Sequence, residues 1–329
     1  MEGGKMFDKI TIRAKVSHEV CNHLQQLHHL QVWTNDNGMD VEYRSNDNYK
    51  KFTGISIKIQ RNVLTLSTSL HKYWNDRNYG RLRNDNIFTI SEAKAAFEML
   101  LFENRLIASK TKVILFEIGL NMHVSFDPLT FIELVKYLPP KNDKKPDKMM
   151  FIDANFSINR QKTTEKHKDF RVYFKIYDKG WEMNDKVRTK NQEPRIKKED
   201  DILRIETVYR RKSILSDILF SDKNINRLVE NFYKNWKYLY FFREVRANKG
   251  ARKSEIDRAR IIVNHGAEEY LQEIKEEFRN KKITLKQYRT IKEFIRDYEE
   301  NSKLYKVIIS PQEKEYKALL YNVFDVTRK

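Results

Sequence analysis

The sequence predicts an α+β protein, an antiparallel sheet backed by helices and followed by a basic all-helical C-terminal region. Three observations carry that expectation. Short runs in the first two thirds alternate apolar and polar residues with the period of a strand. Helical patterns with recognisable N-caps lie between those runs. Beyond residue 212 the strand signals fade and helical periodicity takes over. The expected division is 1–211 for the mixed region and 212–329 for the helical one.

The elements follow in chain order. Ile10, Ile12 and Ala14 alternate with Thr11, Arg13 and Lys15 as an opening strand, and Ser17 caps a helix running toward Leu27. Val41 to Arg44, Ile55 to Gln60 and Val63 to Leu70 read as antiparallel strands, the last two joined at Arg61-Asn62. His71-Lys72 then stands at a strand end, before an irregular run from Trp74 to Asn86. Thr89 with Glu92 forms a capping box for a helix carrying Ala93, Ala96, Phe97, Leu100 and Leu101. Asp127-Pro128 starts a further helix that Pro139-Pro140 stops. Met150 to Ile158 reads as one alternating strand with Asp153 and Asn155 on its polar side. The polar stretches Lys141 to Lys148 and Met183 to Asp201 read as surface loops or flaps. Ile225 to Glu244, Ser254 to His265, Ala267 to Arg279, Thr284 to Tyr298 and Gln312 to Tyr321 read as helices.

Three strands carry chemistry on one face. In Val113 to Val124, Ile114, Phe116, Ile118, Leu120 and Met122 share one side. Glu117, Asn121 and His123 share the other, with Gly119 leaving room between them. In Arg171 to Gly180, Val172, Phe174 and Ile176 alternate with Tyr173, Lys175, Tyr177 and Lys179. In Ile202 to Arg211, Leu203 and Ile205 alternate with Arg204 and Glu206. Carboxylates beside Tyr and Lys on neighbouring strands suggest a metal-assisted site laid across a sheet. An ion pair of Glu117 and Glu206 with Arg204 or Lys175 is the alternative for the same residues.

Composition narrows the partner. Lys plus Arg outnumber Asp plus Glu by 64 to 46, a net charge of +18 spread along the chain, which favours a polyanion such as nucleic acid. The single cysteine, Cys21, excludes an intrachain disulfide framework and a thiolate zinc cluster. No apolar run has membrane-spanning length, and the first residues lack a signal-peptide core, so a cytoplasmic protein without a membrane partner is expected. There is no P-loop signature, so no nucleotide cofactor is expected. His18, His23, His28 and His29 read as a solvated helix face.

The Ser69-Leu70-His71-Lys72 run, within Thr65 to Asn84, resembles the "SLHK" element of phage and plasmid replication proteins of the filamentous-phage gene II and gene X type. Lys175 to Met183 (KIYDKGWEM) and Ile202 to Arg211 (ILRIETVYRR) resemble the "YDK…E" and "LR.E" strands of the same rolling-circle initiators. The resemblance covers about residues 5 to 245. It implies a nicking and DNA-binding domain over 1–211. The implied enzyme is an endonuclease that nicks one strand at an origin, joins a tyrosine to the 5′ phosphate, leaves a 3′ hydroxyl for a polymerase and later rejoins the strand. It implies single-stranded and origin duplex DNA as partners, alongside helicase and polymerase machinery of a host, for a phage, plasmid or mobile element. A conjugative relaxase and a catalytically inactive DNA-binding replication regulator are the alternatives.

The usual histidine pair of that mechanistic class is missing here. His28-His29 are adjacent, and His123-Val124-Ser125 keeps one histidine of the two. The resemblance then implies Glu117 and Glu206 as metal ligands, completed by Asn121, His123 or Asp153. Oxygen ligation favours Mg²⁺ or Mn²⁺. The class places its tyrosine on a helix after the strands, which points to Tyr233, Tyr238 and Tyr240. Tyr177 is a fourth candidate because it shares a strand face with Lys175 and Lys179, and Lys179 is expected at the site. His71, Lys72, Lys175, Arg204, Arg243 and Arg246 are the candidate DNA contacts. Lys50-Lys51-Phe52 and Tyr73-Trp74 mix cations with aromatics, and Lys249, Arg252 and Lys253 extend the basic stretch.

Overall fold

In the computed structural model the described residues are 5–34, 41–84, 86–137, 151–153, 157–160, 172–183, 201–298 and 304–325. Lys141 to Lys148, Asn155 and most of Met183 to Asp201 lie outside them. The chain divides into two units, the first of residues 1–132, 138–238 and 319–329, the second of 133–137 and 239–318.

A ten-stranded sheet organises the first unit, in the order β2-β3-β4-β5-β1-β6-β11-β10-β9-β8. Its strands are β1 (Lys5–Lys15), β2 (Gln31–Thr34), β3 (Val41–Arg44), β4 (Ser56–Gln60), β5 (Val63–Ser69), β6 (Thr111–His123), β8 (Phe151–Asp153), β9 (Ser157–Arg160), β10 (Val172–Asp178) and β11 (Ile202–Leu215). Every pairing is antiparallel. The turn at Arg61 and Asn62, with φ of 50° and 59°, joins β4 to β5 as the sequence indicates. Met150 to Ile158 is not one strand. β8 and β9 pair as a hairpin with Asp153 opposite Ser157.

The helices of this unit are α1 (His18–Leu27), α2 (Asp47–Thr53), α3 (Leu70–Tyr79), α4 (Ile90–Glu103), the start of α5 (Pro128–Leu134), a turn α6 at 179–183, α7 (Ser216–Leu219) and α8 (Asp222–Lys237). Ser17 caps α1, and the Thr89–Glu92 capping box opens α4. The run expected to be irregular from Trp74 to Asn86 belongs to the helix α3 as far as Tyr79 and is irregular only beyond Gly80. Ser69 accepts a hydrogen bond from the Lys72 amide at the start of this helix, and Gly80, at φ 63°, closes it.

The two faces of the sheet differ in chemistry. On one, Ile10, Ile12, Leu64, Leu66, Phe116 and Ile118 are buried, and Phe97 of α4 stacks on Phe220, which also meets Phe7. α8 lies on this same face. Its Trp236 donates to Thr207 at 3.1 Å and meets Phe174 edge-on, and Lys94 of α4 bonds Asp222 at 2.5 Å. The opposite face of β6, β10 and β11 carries the charged residues. His28 departs from the expectation of a solvated face. It is buried, bonding the Tyr49 hydroxyl at 2.5 Å and Asn104 at 2.7 Å.

In the second unit, β7 (Val135–Tyr137) pairs with β12 (Tyr240–Phe241), and β13 (Glu244–Ala247) with β14 (Tyr305–Ile308). Helices α9 (Lys253–His265), α10 (Ala267–Arg279) and α11 (Leu285–Arg296) enclose Ile256, Ile262, Tyr270, Ile274 and Phe294, and α12 (Pro311–Asp325) follows. The C-terminal region is helical except for these short strand pairs. α8 accordingly stops at Lys237, well before Glu244, and α5 stops at Leu134 without needing Pro139.

Leu66, fully buried between two strands, sets a stability test. Leu66→Ala is expected to cost about 2–5 kcal/mol in urea denaturation. Phe102→Ala, at a side chain 84% exposed, is expected to stay within about 0.5 kcal/mol of the parent.

Candidate functional site

Cross-strand register assembles the site. Glu206 of β11 stands opposite Gly119 of β6 and Lys175 of β10, while Arg204 stands opposite Asn121 and Tyr177. Strand alternation therefore brings Glu117, Asn121, Arg204, Glu206, Lys175 and Tyr177 to one face. Gly119 leaves room for close approach, since a Cβ there would lie 3.2 Å from Cγ of Glu206 and 3.3 Å from the Ile205 carbonyl, tighter than ordinary contact.

Asp8 completes the group and was missed in the sequence. Between Phe7 and Ile10 the β1–β6 register shifts by a bulge, so both apolar side chains stay on the core face while the extra residue turns Asp8 toward Glu117. The one signal was that three-residue spacing, where an unbroken strand needs two.

Asp8, Glu117 and Glu206 are buried, and one carboxylate oxygen from each lies within 4.8 Å of the others. Two cations are threaded through them. Arg204, fully buried, donates Nη2 to Asp8 and Nε to Glu206 Oε1, the latter at 2.5 Å. Lys175 Nζ bridges Glu117 at 3.1 Å and Glu206 at 2.9 Å. The Tyr177 hydroxyl donates to Glu206 Oε1 at 2.8 Å.

These charges set the protonation states. Burial works to raise Glu206, but the Arg204 and Lys175 cations outweigh it and hold the carboxyl at about 2. Burial likewise opposes ionisation of Asp8, yet Arg204 and the Ser69 hydroxyl keep it well below the usual carboxylate range. Glu117 goes the other way, raised by burial and then by the neighbouring Glu206 charge. Burial also raises the Tyr177 phenol well above its ordinary value. Three carboxylates meet two directly paired cations, and Glu117, buried beside the Glu206 charge, is the one whose ionisation is disfavoured. Buried, convergent, oxygen-only donors fit a hard divalent cation such as Mg²⁺ or Mn²⁺, and Asp8, Glu117 and Glu206 are the residues that could hold it.

The segment after α3 crosses this face. Asn84 donates to Asp8 at 3.2 Å, its carbonyl accepts from Asn121 at 3.2 Å and Arg204 at 3.4 Å, and its Oδ1 accepts from Lys179 Nζ at 2.9 Å. Lys179 also bonds Glu182 at 2.5 Å. Burial, then Arg204, lowers Lys179 to about 7. His71 does not present itself to solvent. It is buried, bonded to Asn86 at 2.7 Å and stacked on Phe88 at 4.5 Å, and burial lowers it to about 4, so it is a neutral support for the segment. Lys72 is half-buried and adds to the positive field at Lys179.

The remaining expected residues lie on other elements. His123 is exposed at the end of β6, outside the carboxylate group. Asp153 lies in β8, opposite Ser157. Tyr233 and Tyr238 sit at the end of α8, on the helix side of the sheet, where Lys237 stands 5.7 and 5.5 Å from their rings. Tyr240 is half exposed in β12 of the second unit, opposite Tyr137. Arg243 there bonds buried Glu313 at 2.7 Å, and Arg246 pairs with Glu244 at 2.8 Å. Tyr73 is buried and unsuited to stacking on a base, whereas Phe52 is 78% exposed. Lys249, Arg252 and Lys253 are exposed.

No family model matches the chain, and no curated protein matches it. Among solved structures, a rolling-circle replication initiator protein from Geobacillus stearothermophilus aligns with 76% of this chain and 89% of its own, at 10% identity and a TM-score of 0.36. That alignment is too loose to transfer a residue or a role.

Because Glu206 is depressed in the folded state, its stabilisation is present above about pH 4.5 and is lost as pH falls toward about 2. Glu117 is raised, so its charge opposes folding at neutral pH. Glu206→Gln is expected to lose about 3–5 kcal/mol at pH 7 in urea denaturation, while Glu117→Gln holds or gains stability.

Proposed function

We propose that the chain is a rolling-circle DNA replication initiator, an endonuclease that nicks one strand through a tyrosine-5′-phosphate intermediate. The observation that carries the chemistry is the group of Asp8, Glu117 and Glu206 on one sheet face with Lys175, Tyr177 and Lys179 around it. The SLHK-like run and the two strand motifs support DNA as the substrate. The excess of 64 basic over 46 acidic residues supports it as well.

When bound, a divalent cation would polarise the scissile phosphate and offset charge in the transition state. The chain's own residues supply the rest. Arg204 holds Asp8 and Glu206 in place and keeps both ionised. Lys175, with a quarter of its side chain exposed, is the cation positioned to turn from Glu117 toward a phosphate oxygen. Glu206 orients the Tyr177 hydroxyl. Lys179, whose buried ammonium is lowered to about 7, would be the group to accept the phenol proton and return it to the departing 3′ oxygen. In that transfer the phenol oxygen bonds to phosphorus and the bond from phosphorus to the 3′ oxygen breaks. A 3′ hydroxyl leaves, and the 5′ phosphate stays on the tyrosine. Tyr177 is favoured over Tyr233 and Tyr238 because it shares the carboxylate face.

One observation favours a second reading, a DNA-binding replication protein that does not cleave. Arg204 and Lys175 already pair with all three carboxylates, as they would in a purely structural ion-pair network.

Supercoiled plasmid carrying the DNA beside the gene separates the two. The initiator reading expects nicking with Mg²⁺ or Mn²⁺, none with EDTA, and a tyrosine–nucleotide adduct by mass spectrometry. Asp8→Asn and Glu206→Gln should each lower the rate by at least about a hundredfold while DNA binding persists. Binding with no nick in either metal would support the second reading. Activity should rise with pH through about 7 in the parent. Lys179→Met should remove that rise and lose about 10²–10⁴-fold in rate.

A further inference from the structure

Between the C-terminal end of α3 and the segment that follows it lies an open cavity of about 480 Å³, lined by Asn75, Tyr79, Arg81, Arg83 and Asn86. Its volume is in the range of sites that hold a small ligand. Its lining combines an aromatic ring, two arginines and two asparagines. Tyr79 is 62% exposed and offers a ring face for a base. Arg81 and Arg83 are exposed and can meet phosphate.

The two asparagines add a polar edge that is already oriented. Asn75 Nδ2 donates to the Arg83 carbonyl and to Asn86 Oδ1, both at 2.8 Å, and Asn86 Oδ1 also bonds His71 at 2.7 Å. These bonds hold both side chains, and buried His71 holds them from below. The contact left between them, Asn86 Nδ2 to Asn75 Oδ1, is long at 3.5 Å. Asn75 is buried and serves to orient its neighbour, while exposed Asn86 keeps an amide donor for the hydrogen-bonding edge of a base.

The same segment reaches the carboxylate face through Asn84, one residue from Arg83, by its bonds to Asp8, Lys179, Asn121 and Arg204. A strand held in the cavity would be tethered beside the reacting groups.

We propose that this cavity is a subsite for one unpaired nucleotide of the DNA strand, with the base on Tyr79 and its phosphate on Arg81 and Arg83. It rests on the proposed function for the identity of the strand, and its test does not depend on cleavage. The full chain would be titrated in EDTA against a short labelled single strand and a duplex of the same sequence, read by fluorescence anisotropy. Tyr79→Ala is expected to weaken single-strand binding about tenfold and leave duplex binding unchanged. Arg81→Ser with Arg83→Ser should lower affinity and flatten its salt dependence. Both changes are at exposed side chains, and circular dichroism would verify the fold.

Unchanged single-strand affinity in both variants would overturn the proposal. Displacement of the strand by inorganic phosphate alone, or by a free deoxynucleoside monophosphate at concentrations matching the strand, would overturn it in favour of an anion or free-nucleotide site. Nicking that survives with no Tyr79 effect would leave the endonuclease standing and remove the subsite. Loss of single-strand binding in these variants of a chain that never nicks would leave the subsite standing and remove the endonuclease.

Discussion

The buried guanidinium of Arg204 is the constraint on which the site depends. It sits on a central strand, fully enclosed, and bonds Asp8 from β1, Glu206 from its own strand and the carbonyl of Asn84 from the crossing segment. A buried arginine is tolerated only where carboxylates compensate it. That requirement draws three separate parts of the chain to one point. The compensation is reciprocal, since Arg204 is what keeps Asp8 and Glu206 ionised against burial.

The layering of the sheet follows from the same division. The strand faces that carry Phe116, Ile118, Thr207 and Phe174 are covered by α4, by Phe220 just after α7 and by α8, with Phe97, Phe220 and Trp236 completing the core. The opposite face carries a polar cluster, which needs a polar cover. The segment after Gly80 supplies it with amide groups and backbone carbonyls. Amides satisfy carboxylate, guanidinium and ammonium without adding charge, which is why Asn84 can bond both Asp8 and Lys179. His71 has a supporting role there, its ring stacked on Phe88 and its nitrogen bonded to Asn86.

The unequal titration of the three carboxylates follows from which cations each one meets. Glu206 meets Arg204 and Lys175, Asp8 meets Arg204 and Ser69, and Glu117 meets Lys175 while facing Glu206. Glu117 is therefore the carboxyl most readily protonated. Lys175, which joins Glu117 to Glu206, keeps a quarter of its side chain exposed to solvent.

Local rules made much of this legible in the sequence. Period-two alternation assigned Glu117, Asn121, Lys175, Tyr177, Arg204 and Glu206 to strand faces, and Gly119 to a place of close approach, because alternation is a property of the strand alone. Caps at Ser17 and Thr89 and the turn at Arg61-Asn62 were readable for the same reason. Tertiary structure decided what depends on partners distant in the chain. The bulge that turns Asp8 to the site exists because Phe7 and Ile10 must both reach the core. The position of α8 behind the sheet, which takes Tyr233 and Tyr238 from the carboxylate face, is settled by Trp236 packing on Thr207 and Phe174. The burial of His71 and His28 is settled by Asn86, Phe88, Tyr49 and Asn104. Periodicity states which side of an element a residue is on; only packing states what that side meets.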